Sequence, residues 1–176
     1  MKSLTLFKSV FDNKTHKRVD FNDYAAFERL FFDLAALPLK DKKSATLISP
    51  AIYEPDTTRS NASVIGWAGW CAVDVDEHIF DGDLEKELLD NYGQWNHIVY
   101  STASSTIEHP KFRIVFPLTE DVPKDKIKHF WYALNKELGD IGDPQTKDLS
   151  RMYYVPGTYE GAYNFIFNCF TGMDMN

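Results

Sequence analysis

The seven residues 70–76, WCAVDVD, decide the fold prediction for this chain. An apolar, strand-forming run ends in two aspartates, Asp74 and Asp76, which are two positions apart. Successive side chains of a β-strand point to opposite faces of the sheet, so both carboxylates lie on one face with Cα atoms roughly 6 to 7 Å apart. Two like charges held this close repel each other unless a cation lies between them. The motif therefore predicts a site for divalent metal ions and phosphate chemistry.

Length and composition indicate one globular domain over residues 1–176, because 44% hydrophobic and 15% aromatic residues are enough for an ordinary core. The formal charge of −7 repels nucleic acid, so any contact with it requires a local basic patch or metal ions. The two cysteines, Cys71 and Cys169, form neither a disulfide framework nor a zinc-ligand cluster. No apolar run approaches about 18 residues. We expect a soluble, intracellular protein without a membrane partner.

Hydrophobic periodicity predicts strands interspersed with helices. The predicted strands span residues 3–11 and 45–53, a segment ending at residue 76, and residues 97–101, 111–118, 151–155 and 163–170, and the predicted helices span residues 24–34, 81–92 and 127–138. Pro50 marks an edge or bulge, and the turn dipeptide Pro156-Gly157 joins the last two strands as an antiparallel pair. The pattern predicts an α+β fold, with a mainly antiparallel sheet and helices packed on one side of it.

Three segments carry polar residues on otherwise apolar strands: residues 74–76, 101–113 and 143–151. Phosphoryl transfer with two metals needs carboxylates to bridge the ions and cations to hold the phosphates. Lys111 and Arg113 alternate onto one face of their strand, and a guanidinium binds phosphate oxygens in a bidentate manner. Hydroxyl groups precede them at Ser101, Thr102, Ser104 and Ser105. Together the three segments predict one phosphate-binding site.

In this order the motifs resemble the archaeo-eukaryotic primase superfamily, and in particular the primase-polymerase domains of phage and plasmid replication proteins. The matching stretches are WCAVDVD, YSTASSTIEHPKFRIVFPL and DPQTKDLSRMYYVPG, within residues 64–157. The resemblance implies an RRM-like primase-polymerase core. It also implies a nucleotidyltransferase of phage or plasmid DNA replication, which polymerises nucleotides on a template by two-metal phosphoryl transfer and which could also synthesise primers.

The same resemblance implies residue roles and partners. Asp74, Asp76 and Asp143 would be catalytic and would hold Mg²⁺ or Mn²⁺, with Asp148 as the alternative third ligand. The substrate-binding residues would be Ser104, Lys111, Arg113, Ser150 and Arg151. The partners would be nucleoside triphosphates and a single-stranded DNA template, with a replicative helicase as an optional further partner. The protein would act in the cytoplasm, which is the host cytoplasm if a phage encodes it.

One departure from the family keeps a second function open. The family's second motif places a histidine two residues after a small residue, whereas Ser104 is followed here by Ser105 and Thr106, and His109 is the nearest histidine. The alternative is therefore a catalytically degenerate module that binds nucleic acid or nucleotide. A rolling-circle nuclease is disfavoured because it needs paired metal-binding histidines, and the sequence has no His-x-His motif.

Non-catalytic interpretations of the same residues also stay open. The Asp-x-Asp motif is compatible with a solvated turn, and Lys111 and Arg113 with a solvated sheet face. Arg151 is compatible with a structural partner of Asp148. The preference for ribose or deoxyribose, the ability to start without a primer and the oligomeric state are not encoded in any of these motifs.

Overall fold

The computed structural model describes residues 1–79, 82–170 and 172–176, which form short strands and three α-helices. The strands are β1 (Lys2–Phe7), β2 (Arg18–Phe21), β3 (Pro38–Leu39), β4 (Leu47–Ser49), β5 (Ala51–Tyr53), β6 (Val64–Trp67), β7 (Trp70–Val75), β8 (His97–Ser101), β9 (Phe112–Pro117), β10 (Val122–Pro123), β11 (Tyr153–Tyr154), β12 (Thr158–Tyr159) and β13 (Ile166–Cys169). The helices are α1 (Tyr24–Ala35), α2 (Leu84–Tyr92) and α3 (Ile127–Glu137). None of the helices in the described part of the chain has the length and apolar character to cross a membrane. The predicted α+β class is confirmed.

The central sheet has the strand order β13-β8-β9-β7, and all its neighbours are antiparallel. The chain crosses from β7 through α2 to β8 and leaves a gap that β9 then fills, which makes a split β-α-β unit. In this register Arg113 on β9 lies opposite Asp74 on β7 and opposite Tyr100 on β8. Directly opposed residues share one face of the sheet. The register thus brings an acid, a base and a phenol into one row.

Both faces of the central sheet are covered. On one face, Val73 and Phe116 belong to a core that includes Leu88 of α2 and Trp131 of α3. On the other face, Trp70 packs in a second core with residues of α1 and of the N-terminal strands. The expectation that all helices lie on one side was therefore wrong. The apolar stripe of α1 needs its own surface to bury, and the second face of the sheet provides it.

The other strands of the described chain form three further sheets, with four, three and two strands. Their orders are β11-β4-β1-β2 and β10-β6-β5, and β12 pairs with β3 in parallel. The segment predicted as one strand over residues 45–53 is divided at Pro50 into β4 and β5, which belong to different sheets. Proline lacks the backbone N–H that a continuous ladder needs. The predicted bulge is in fact a change of sheet.

The two strands predicted to pair at the end of the chain do not pair with each other. Strand β11 pairs with β4, whereas β13 pairs with β8. Between them the chain forms β12, and the side chain of Asn164 closes a turn by accepting from Tyr159 N at 2.9 Å. Periodicity identifies strands but contains no information on which sheet each one joins.

The start of α2 also differs from the prediction of a helix over residues 81–92. Asp81 lies outside the described residues, and the helix begins at Leu84. Asp83 is its N-cap, with a side chain that accepts from Lys86 N at 3.3 Å. Glu85 and Glu87 supply the acidic first turn that the sequence predicts, which suits the positive end of the helix dipole.

Phe31 tests the packing of α1 on the central sheet. Its ring is fully buried, with centroids 6.2 Å from Trp70 and 6.0 Å from Tyr100. Replacing it by alanine leaves a cavity, so we expect Phe31→Ala to lower the free energy of unfolding by about 3 to 5 kcal/mol in urea denaturation. The matched control Asp33→Ala, at an exposed position of the same helix, should change it by less than about 0.5 kcal/mol. Equal effects of the two variants would contradict this packing.

Candidate active site

A cleft of about 440 Å³ opens at the end of the central sheet where β7, β8 and β9 carry polar residues. One wall comes from these strands and the loop after β8, and the other from residues 40–42 and from the segment around β11 and β12. Its charged lining residues are Lys40, Asp41, Lys42, Asp74, Asp76, Arg113, Arg151 and Glu160. The cleft therefore combines carboxylates with basic side chains, as phosphate chemistry on metal ions requires.

Asp74 and Arg113 form a buried ion pair at the base of the cleft. The side chains are 9% and 8% exposed, and Arg113 Nε donates to Asp74 Oδ1. Arg113 Nη1 also donates to the Tyr100 hydroxyl and to the Tyr154 carbonyl oxygen, both at 2.9 Å. The guanidinium carbon lies 4.7 Å from the centre of the Tyr153 ring. Arg113 thus lines the cleft but is held mainly by protein groups, and it is not the solvated residue that the alternative interpretation assumed.

The surroundings of Arg113 keep it charged. Burial by itself would lower the pKa of the guanidinium, but the carboxylate of Asp74 and the hydroxyl of Tyr100 raise it well above its ordinary value. Burial raises the pKa of Tyr100 as well, so its phenol stays neutral and accepts the hydrogen bond. A buried ion pair is stable only when its remaining donors and acceptors are satisfied. Here neighbouring tyrosines satisfy them.

Asp76 lies just beyond the end of β7, at a half-buried position in the cleft. Among the described residues, none forms a hydrogen bond or ion pair with its side chain. Burial raises the pKa of Asp76, and the nearby carboxylates of Asp74 and Asp143 raise it further, while Lys111 and Arg113 oppose the increase. An acid with this surplus of negative neighbours is stabilised by a bound cation.

Asp143 is held close to the same strand end. Its backbone N–H donates to the Asp74 carbonyl oxygen at 2.9 Å. Its side chain caps a short 3₁₀ turn and accepts from Gln145 N at 3.0 Å. Neither Asp143 nor the alternative third ligand, Asp148, lines the cleft, but Asp148 is 58% exposed and lies 4.0 Å from Arg151, whereas Asp143 is close enough to raise the pKa of Asp76. The geometry favours Asp143 over Asp148, and its role as a metal ligand stays a prediction.

The three carboxylates do not form a preassembled metal centre. The part of the chain that the structure describes contains no group of three or more His, Cys, Asp or Glu side chains arranged to hold a metal ion. Asp74 directs Oδ1 toward Arg113, whereas Asp76 has no such partner. Carboxylate oxygens are suitable ligands for Mg²⁺ and Mn²⁺. The donor atoms of Asp76 and Asp143 and the second oxygen of Asp74 have the chemistry of such ligands, and a divalent ion at these residues stays a prediction.

The predicted substrate-binding residues are divided among several positions. Ser104 is exposed and lines the cleft, and Lys111 is half-buried just before β9. Arg151 Nη2 lies 4.0 Å from Asp74 Oδ2, and Arg151 Nη1 lies 4.0 Å from Asp148 Oδ2. Ser150 does not line the cleft. Its hydroxyl donates to Asn61 Oδ1 at 2.7 Å. Of the two predicted residues in this segment, Arg151 lines the cleft and Ser150 does not.

Ser101 and Thr102 also line the cleft, but their hydroxyls and that of Ser105 form hydrogen bonds with backbone groups of the protein. Ser101 Oγ donates to the Phe165 carbonyl oxygen at 3.1 Å, and Ser105 Oγ accepts from Lys111 N at 3.2 Å. His109 does not line the cleft, although its Nε2 is buried without a hydrogen-bond partner in the described residues. No described residue of the cleft lining replaces the missing histidine of the second motif.

Sequence reasoning missed the basic residues of the opposite wall. Lys40 and Lys42 line the cleft, and the Lys42 ammonium lies 5.9 Å from the centre of the Tyr154 ring. They reach the site because β12 pairs with β3 and Val155 N bonds to the Thr46 carbonyl oxygen. These contacts join distant parts of the chain. No local motif could have revealed them.

A known protein is similar to this chain in fold, although comparisons of the sequence give no match. No family profile matches the chain, and no curated protein matches it. Among solved structures it is similar to the AEP domain (PP-N190) of the primase-polymerase (PrimPol) of cyanophage S-2L, with 12% sequence identity and a TM-score of 0.53. The match covers 98% of this chain and 84% of that domain. The chain therefore has an AEP-like fold, and at this identity the similarity establishes the fold alone.

The ion pair at the base of the cleft can be tested by removing its basic partner. Arg113→Met leaves the Asp74 carboxylate buried without its counter-charge, so we expect the free energy of unfolding to fall by about 3 to 5 kcal/mol at neutral pH. The double variant Asp74→Asn/Arg113→Met should be more stable than the sum of the two single effects implies, as measured by a double-mutant cycle in urea. Additive effects would show that the two side chains do not interact.

Replacement of Asp76 should stabilise the fold at neutral pH, whereas replacement of Arg113 should destabilise it. Because the pKa of Asp76 is raised in the folded state, its ionisation destabilises the fold increasingly as the pH rises from the unfolded pKa to the folded one, fully above the folded pKa and not at all below the unfolded pKa. We expect Asp76→Asn to melt at a higher temperature than the wild type at about pH 7 and at the same temperature below about pH 3.5. The exposed control Asp33→Asn should show no such crossover. A lower melting temperature of Asp76→Asn at neutral pH would contradict the repulsion.

Proposed function

We propose that the chain is a metal-dependent nucleotidyltransferase of the primase-polymerase type, which polymerises nucleotides on a single-stranded DNA template. The observation that carries the proposal is the half-buried carboxylate of Asp76, which has acidic neighbours and no hydrogen-bond or ion-pair partner among the described residues. Basic side chains line the same cleft. The AEP-like fold, shared with a phage primase-polymerase domain, supports the same reaction class.

In this proposal the residues of the chain bind and orient the substrates. Arg151 and Lys42 hold phosphate oxygens of the incoming nucleoside triphosphate, and the exposed hydroxyl of Ser104 donates a further hydrogen bond. The buried Arg113 positions Asp74 rather than binding the triphosphate. A strand 3′-hydroxyl forms a new ester bond to the α-phosphorus, the bond to the β-phosphate breaks, pyrophosphate leaves, and the hydroxyl proton passes to water.

The expected cofactor is Mg²⁺ or Mn²⁺. Asp76 and Asp143 would hold the ion together with the second oxygen of Asp74. A bound ion would neutralise charge on the phosphates during transfer. Its binding would also relieve the repulsion at Asp76, so the metal and the raised pKa of that residue are linked. A replicative helicase remains a proposed partner.

The second candidate function is a non-catalytic module that binds nucleotide or nucleic acid. The ion pair of Asp74 with Arg113 favours this non-catalytic function, because Arg113 occupies an oxygen of a carboxylate that catalysis would require. The absence of a histidine from the described lining of the cleft favours it as well. Such a module would bind oligonucleotide without a divalent ion, and its binding would be insensitive to substitution of Asp76.

Primer extension and de novo synthesis on single-stranded DNA test the choice between these functions. We expect products with dNTPs or NTPs that depend on Mg²⁺ or Mn²⁺, and a decrease in rate on the order of 10²-fold or more in Asp76→Ala. The acidic control Asp33→Ala, at an exposed position of α1 that does not line the cleft, should retain activity within a few-fold. Folding of each variant is checked by its melting temperature.

Two outcomes would contradict the enzyme. The first is a folded wild type that binds oligonucleotide but yields no product with either metal and either sugar. The second is product formation that Asp76→Ala leaves unchanged. A separate readout is the melting temperature with added Mn²⁺, which should rise for the wild type and not for Asp76→Ala, because only a site that binds the ion is stabilised by it.

A further inference from the structure

A second cavity of about 240 Å³ lies next to the cleft, on the other side of Arg151 and Tyr154. Four separate segments supply its walls: Val10 from the loop after β1, Leu47 from β4, Arg59 from the loop after β5, and the segment 148–154. Arg151 and Tyr154 line both the cleft and this cavity. The proposed reaction uses only the cleft, so this cavity has no assigned function.

Both arginines of the second cavity have unsatisfied donors. Arg59 Nε and Arg151 Nε are buried and have no hydrogen-bond partner in the described residues. A buried N–H of a charged group without an acceptor is unfavourable, and native proteins rarely retain one without a reason. Each Nε has almost no accessible surface, so an anion in the cavity would bind the terminal nitrogens of the two guanidinium groups that line it. The guanidinium fork matches the oxygens of a phosphate group better than any other common ligand.

The nearby carboxylates compensate the charges of these two arginines only in part. In the described part of the chain Arg59 has no ion pair. Arg151 is the basic partner of both Asp148 and Asp74, each at the long distance of 4.0 Å. Asp148 is mostly exposed, so water screens its charge. Two arginines line the second cavity against the single carboxylate of Asp148, and this excess of positive charge favours an anion.

The walls of the cavity are fixed by hydrogen bonds rather than formed by loose loops. Ser150 donates to Asn61 Oδ1 through its backbone N–H at 3.1 Å and through its hydroxyl at 2.7 Å. The backbone N–H of Arg59 donates to the Asn13 carbonyl oxygen at 2.8 Å. These bonds join three of the four wall segments. A preorganised site of this kind loses little conformational entropy on binding.

We infer that Arg59 and Arg151 form a second phosphate site, which binds a backbone phosphate of the nucleic-acid strand as it leaves the cleft. The shared residue Arg151 links the two cavities, so a phosphate in the second one lies one side chain away from Asp74. The identity of the strand rests on the proposed function, whereas the anion site rests on the two arginines alone. Phosphate contacts of this kind fix a strand without reading its sequence.

The test measures strand binding without catalysis. A labelled oligothymidylate of about 12 nucleotides is titrated with protein in EDTA, without nucleotide, and anisotropy gives its affinity. We expect Arg59→Gln to weaken binding roughly tenfold and to reduce the slope of log K against log salt by about 0.7. The control Arg29→Gln removes the same charge from an exposed position on α1 and should stay within about twofold of the wild type.

A second readout follows the NMR signals of the two guanidinium groups. The ¹⁵Nε–¹Hε signals of Arg59 and Arg151 should shift when the oligonucleotide is added, and Arg59→Lys assigns the first by its absence. Arg59→Lys keeps the charge but lacks the guanidinium fork, so it should bind with intermediate affinity. Arg59→Lys also separates a loss of phosphate recognition from a loss of folding. The melting temperature of each variant shows whether it is folded.

Three results would overturn the inference. They are a wild type that does not bind the oligonucleotide, equal affinities of Arg59→Gln and Arg29→Gln, and arginine signals that respond to a nucleoside triphosphate or inorganic phosphate but not to the oligonucleotide. Because metal and nucleotide are absent, a catalytically inactive protein can still support this inference. An active polymerase that fails the test would refute only the second site.

Discussion

The buried ion pair between Asp74 and Arg113 is the interaction on which the rest of the site depends. It joins β7 to the middle strand β9, and through Tyr100 it reaches β8, so three strands must keep one register for its hydrogen bonds to form. A shift of β7 by one residue would turn Asp74 into the apolar core on the other face of the sheet and would leave Arg113 buried without its counter-charge. The pair therefore fixes the strand ends from which the loops of the cleft begin.

The ion pair also determines which charges remain available. Because Asp74 and Arg113 largely neutralise each other, the excess of negative charge falls on Asp76, and the available basic groups are Arg151 and the lysines of the opposite wall. A protein with a net charge of −7 can attract phosphate only where such basic groups are concentrated. The cleft and the second cavity, joined by Arg151, are two such places on one surface.

Much of this arrangement follows from the sequence, and the remainder follows from contacts that the sequence does not display. The alternation of residues 111–118 and the spacing of Asp74 and Asp76 predict the strands and the acidic face correctly. Sequence reasoning assigned Arg113 to phosphate, because alternation reveals the face of a residue but not its burial or its cross-strand partner. The partners of β11 and β13, and the approach of Lys42 and Arg59, depend on long-range packing that no local pattern records.

A crystal structure with Mn²⁺ and a non-hydrolysable nucleoside triphosphate tests the central claim most directly, because anomalous scattering locates the metal without assumptions about the reaction. The account predicts a manganese peak within coordination distance of Asp76 and Asp143, with the triphosphate against Arg151 and Lys42. A nucleotide bound in the cleft with no metal at Asp76, or a metal bound away from both aspartates, would contradict it.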